Sequence, residues 1–81
     1  MTWHVFLTNF GDADLERFTE PVRNDVANAL LDWTEEGPPR AHHCTLADAE
    51  LWEHHLDSGI AVVYFIDDEL EHVGVVGVRP P

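Results

Sequence analysis

Lysine is absent from this 81-residue sequence, and all four basic residues are arginine. Against them stand 16 acidic residues, for a formal net charge of −12. Such a chain repels phosphate backbones, which disfavours direct nucleic-acid binding unless the few arginines cluster. The acidic excess leaves two readings open: a solubility surface of the salt-adapted kind, or a surface built to meet a basic partner. The single cysteine, Cys44, excludes an internal disulfide and suits a reducing cytoplasm. No apolar run approaches the ~20 residues of a membrane-spanning helix, and no charged-then-apolar leader opens the chain. Neither a membrane span nor a secretory signal is therefore expected. The length sets one domain, residues 1–81, with a small core.

What is present is concentrated near the C-terminus. Ile60 to Ile66 is an unbroken apolar run rich in β-branched and aromatic residues, too short for a stable buried helix. Asp67-Asp68-Glu69 breaks it with turn chemistry, and a second valine-rich run, His72 to Arg79, follows. The pair predicts a β-hairpin. Because the first run is apolar on both faces, it should be an interior strand.

Upstream, Trp3 to Thr8 alternates as a strand, and Asn9-Phe10-Gly11-Asp12 closes it as a turn, with Asp12 or Asp14 available to cap a helix. Leu15, Phe18, Val22, Val26, Leu30 and Trp33 recur every three or four residues, the spacing of one helical stripe. Pro21 divides that run and fits the first turn of a second helix, so helices are expected at about 12–19 and 21–36. Gly37-Pro38-Pro39 stops the second. Residues 40–50 show no clean period and read as a loop, and Leu51 to Asp57 reads as a strand ended by Ser58-Gly59. The expected architecture is α+β, in the order β-α-α-β-β-β: a helical hairpin on one face of a small, mostly antiparallel sheet.

Three passages in that order resemble the RelE/ParE superfamily of type II toxins, with its YoeB branch nearest. Leu15 through Trp33 to Pro38 resembles the family's helical hairpin. Glu50-Leu51-Trp52-Glu53-His54-His55-Leu56 resembles the strand before its catalytic hairpin, and Val62-Val63-Tyr64-Phe65-Ile66-Asp67-Asp68 resembles its R-x-V-Y-x-x-D-D passage. The resemblance implies a sheet face opposite the helices that meets messenger RNA on the ribosome, or a protein target. It also implies arginines and lysines that hold phosphate, with a histidine, tyrosine or glutamate moving protons. Here the expected strand arginine is Ala61, the C-terminal polar pair is Pro80-Pro81, and the basic pair after the strand tryptophan is His54-His55. Of the cations, Arg79 remains. The resemblance implies a toxin-like protein short of catalytic residues, with an antitoxin segment or a second copy of itself as partner and the ribosome as a further candidate.

Each candidate site has a plainer reading beside it. His54, His55 and Arg79 are weak catalytic candidates, since an imidazole working without nearby cations gains little on a phosphate. His42, His43, Cys44, His54 and His55 carry metal-ligating atoms. Neighbours on a strand point to opposite faces, however, so no metal or other cofactor is expected. Cys44 is a weak nucleophile with only Arg40 near it in sequence. Ala61, Val63 and Phe65 alternate with the residues assigned to the helix side and so line the opposite face. They form either a protein-docking surface or one that the 40–50 loop covers. Three functions stay open: a non-catalytic toxin-like protein that binds protein, a ribosome-dependent endoribonuclease with a rearranged histidine site, and an acidic interaction module unrelated to toxins.

Overall fold

A computed structural model describes residues 2–40, 42–46 and 49–81. The chain runs β1 (His4–Leu7), α1 (Asn9–Glu16), α2 (Glu20–Glu36), β2 (His42–Leu46), β3 (Ala49–His55), β4 (Ala61–Asp67) and β5 (His72–Arg79). The five strands form one sheet in the order β1-β5-β4-β3-β2, so the apolar run is the central strand, as its two-sided hydrophobicity requires. Three pairings are antiparallel, and β1 with β5 is parallel. The α+β expectation holds, with one strand more than the sequence indicated. Much of the segment read as a loop over 40–50 is β2 and the start of β3 (residues 41, 47 and 48 lie outside those described). His42-His43-Cys44-Thr45-Leu46 has little strand character of its own, and pairing with β3 imposes its conformation.

The first helix starts three residues earlier than its periodicity suggested, and Asp12 and Asp14 do not cap it. Thr8 does: its Oγ1 accepts from the Gly11 amide at 3.2 Å and donates to the Val75 carbonyl at 2.9 Å. Gly11 reads as a turn residue in sequence but serves as a contact. A Cβ there would sit 2.1 Å from the Val75 carbonyl oxygen, so only glycine lets α1 approach β5 this closely. Asp14 instead uses its carboxylate to accept from the Val78 amide at 3.2 Å, covering an edge of β5 that β1 is too short to pair. In α2, Thr19 occupies the cap position and Pro21 the first turn, where its missing N–H costs nothing.

Val26 and Trp33 of α2 meet Ile60, Val62, Tyr64, Val73, Val75 and Val78 in the main core, with Leu15 of α1 and Phe18, between the two helices, beside them. The Trp33 and Tyr64 rings lie 4.6 Å apart. Burial of Tyr64 pushes its pKa up to about 12, and the neutral hydroxyl donates to the Pro39 carbonyl, pinning the segment after α2. Next to it, Arg40 grips Asp68 with both terminal guanidinium nitrogens, which holds that carboxyl below the usual range. Among the described residues, no helix is long and apolar enough to cross a membrane.

Candidate functional site

Register decides which side chains share the sheet face opposite α2. Val62 and Tyr64 belong to the helix side, and their partners His54 and Trp52 go with them. Ala61, Val63 and Phe65 therefore share the other face with Leu51, Glu53 and His55 of β3, and with His42 and Cys44 of β2. From β5 come His72, Gly74, Gly77 and Arg79, and from β1 His4 and Phe6. The face is layered. One end carries His42, Glu53, His55 and Arg79 around Ala61; the middle is apolar, with Leu51, Val63, Phe65 and Phe6; the far end carries His4, His72 and Asp67.

At the first end, His55 Nε2 lies 2.8 Å from one Glu53 oxygen, and an Arg79 nitrogen lies 3.7 Å from the other. The His42 ring stands edge-on to His55, with centroids 6.0 Å apart. The structure thus unites His55 with Arg79 and separates both from His54. That imidazole faces Trp33 at 5.9 Å, and burial, followed by the charges of His55 and His42, lowers its pKa and favours the neutral form. Glu53 went unrecognised in the sequence, although it lies two residues before His55 and must share its strand face. His42 entered only as a possible metal ligand; its place beside His55 depends on the β2–β3 register. Among the described residues, no three His, Cys, Asp or Glu side chains are placed to hold a metal ion together.

The apolar middle is partly floor and partly wall. Ala61 and Val63 are each 3 % exposed, so whatever lies on this face meets their neighbours first. Phe65 lies flat across Gly74, where a Cβ would come within 2.1 Å of the ring, and Phe6 meets it edge-on at 6.0 Å. Between Val63 and Tyr64 the β4–β5 register slips, leaving Val76 as an extra residue. That bulged Val76 joins Ala49, Leu51, Phe10, Ala13, Asp14 and Arg17 around a groove of 520 Å³. Phe10, at its lip, is 76 % exposed. Phe10 and Arg17 lie in or near α1, and their position beside the sheet follows from the tight contact at Gly11.

What this arrangement can do chemically is limited by Glu53. A histidine paired with a carboxylate is a competent proton carrier, and an arginine nearby could hold an anion. Glu53, however, already faces both groups, 2.8 Å from His55 and 3.7 Å from the Arg79 guanidinium.

No protein-family model matches the sequence, and no curated protein matches it significantly. Solved structures match over the full fold. A chain of the toxin–antitoxin complex RelBE2 from Mycobacterium tuberculosis aligns with a TM-score of 0.85 at 18 % identity, covering 100 % of both chains. The archaeal RelE–RelB complex from Pyrococcus horikoshii gives 0.77 at 14 %, covering 99 % of this chain and 96 % of that one. The free RelE toxin of E. coli, in a doubly substituted form, gives 0.75 at 21 %, covering 98 % and 83 %. Identities this low speak to architecture, and the architecture of this chain is that of the RelE toxins.

Proposed function

We propose that this chain is the toxin-type member of a toxin–antitoxin pair, and that it acts by binding a protein on its open sheet face without cleaving RNA. The observation that carries this reading is the double engagement of Glu53 by His55 and Arg79. Cleaving RNA through its 2′-hydroxyl builds negative charge on phosphorus, and fixed cations supply much of the acceleration. Here the central strand offers Ala61, the nearest guanidinium already has a carboxylate, and the protein as a whole carries −12. The Mycobacterium and Pyrococcus relatives in fold were solved as toxin–antitoxin complexes, which supports an antitoxin-like segment as the partner.

A second reading has its own observation. His42, Glu53, His55 and Arg79 do converge, which favours a ribosome-dependent endoribonuclease using a rearranged histidine site. It ranks lower because the cluster has no cation free of a carboxylate partner.

The protein-binding reading is tested by co-expression with the product of any small open reading frame adjacent to the gene. A complex surviving size exclusion is expected, and Phe10→Asp at the groove's lip should weaken it by on the order of tenfold or more, as removal of a central aromatic anchor does. A neighbouring product that does not bind, or a complex indifferent to Phe10→Asp, would remove the groove from the account.

A further inference from the structure

We propose that the hollow between the end of α2 and the end of β3 binds a guanidinium group, carried by a small amine or by an arginine of another protein. It lies on the helix side of the sheet, so it does not depend on what the open face opposite binds. Its volume is 580 Å³. Asp32, Trp33 and Glu36 of α2 form one wall, Pro38 and Pro39 a second, and His54 with Asp57, at and just after the end of β3, the third.

Charge is the first argument. Asp32, Glu36 and Asp57 are exposed, and among the described residues none of the three has a cationic partner. No lysine or arginine lines the hollow. Asp32 and Glu36 stand one turn apart on α2, where like charges repel. The C-terminal end of a helix carries partial negative charge and favours a cation nearby. The last turn of α2 contains no basic residue, and Glu36 adds a carboxylate to it. Helix end and carboxylates thus give one concavity a negative potential that no group of the chain answers. Among the described residues no three His, Cys, Asp or Glu side chains are placed to hold a metal ion together, so the complement is an ion broad enough to span the walls.

The rest of the lining selects among cations. The Trp33 and His54 rings meet edge-on with centroids 5.9 Å apart, and with the two prolines they give the hollow apolar surface. A guanidinium is planar and weakly hydrated, so it loses less than an ammonium on entering such a place. Burial, ahead of the charges of His55 and His42, lowers the His54 pKa, while Asp57 pulls the other way by less. The imidazole is therefore neutral at neutral pH and keeps a nitrogen that can accept from a guanidinium N–H. An adjoining hollow of 240 Å³ shares Asp32 and Asp57 and adds Asp25 and Asn28, which gives room for the chain that trails from the group.

The test follows the indole and imidazole NMR signals of the intact protein at neutral pH during titration with arginine amide and with citrulline amide. The two probes are alike in shape and carry the same α-ammonium; one ends in a guanidinium and the other in a neutral urea. Arginine amide should shift the Trp33 Nε1–H and His54 ring signals to saturation while the Trp52 indole stays in place, and citrulline amide should not. An Asp32→Asn, Glu36→Gln double variant should bind roughly tenfold more weakly, the effect of losing a charge-assisted contact. A Glu16→Gln, Glu20→Gln variant removes the same charge from exposed positions elsewhere and should stay within about twofold of the parent, because salt screens distant charges. Agmatine and a short peptide with a single arginine then separate the sources, and either supports the inference. Tighter binding of agmatine assigns the hollow to a small amine, and tighter binding of the peptide assigns it to a partner's side chain. Equal response to the two amides, equal weakening in the two variants, or Trp33 and His54 signals that do not move would overturn it.

Discussion

Tyr64→Ala and Trp33→Ala should each leave the protein barely folded at ambient temperature. Tyr64 is fully buried and Trp33 is 5 % exposed, and their rings touch at the point where α2 meets the central strand. Truncating a large buried aromatic costs roughly 3–5 kcal/mol, because the cavity only partly collapses. For Tyr64 the loss also leaves the Pro39 carbonyl without its donor and frees the segment between α2 and β2. A domain this small has a total stability on the order of 5 kcal/mol, so either change consumes most of it. Thermal melts should fall by roughly 15–30 °C. Midpoints within a few degrees of the parent would show that the core lies elsewhere.

Gly11→Ala should also destabilise, and here the sign is informative. In an exposed helix the exchange usually stabilises by about 1 kcal/mol, since alanine is the better helix former. In α1 the new methyl would sit 2.1 Å from the Val75 oxygen and 2.9 Å from its carbon, both backbone atoms that cannot turn aside. The helix must retreat from β5, lengthening the Thr8 cap and the Asp14 contact to the Val78 amide. Forcing such an overpacked contact costs roughly 1–3 kcal/mol, more than propensity returns. Urea unfolding of Gly11→Ala should give a lower midpoint at an unchanged slope. A variant as stable as the parent would mean that α1 does not rest on β5 this closely.

The parts of the fold that were legible in sequence are those whose conformation is dictated locally. Residues 60–66 are apolar on both faces and can only be a central strand, and the stripe from Leu15 to Trp33 with Pro21 inside it can only be two helices. The edge strand β2 was not legible, because His42-His43-Cys44-Thr45-Leu46 acquires extended form by pairing with β3. The start of α1 was misplaced for a related reason. Gly11 looks like a turn until the Val75 carbonyl is placed against it. At the candidate site, His55 and Arg79 were found as chemistry-bearing types, and Glu53 was one step of strand alternation away. His42 joins them only through a register that spans the β2–β3 hairpin, and Phe10 only through α1 docking on β5.

The central claim, a RelE-type fold used for binding and not for cleavage, is tested most directly by a translating-ribosome messenger-cleavage assay at low and multimolar salt. The high-salt arm matters because charge repulsion on exposed surfaces is screened within ~3 Å at 1 M, so an acidic surface no longer keeps RNA away. The account predicts no cleavage above background in either condition, for the parent and for a His54→Ala, His55→Ala double variant alike. Cleavage by the parent that disappears when the two histidines are removed would contradict it, and would make the His42, Glu53, His55 and Arg79 cluster an active site.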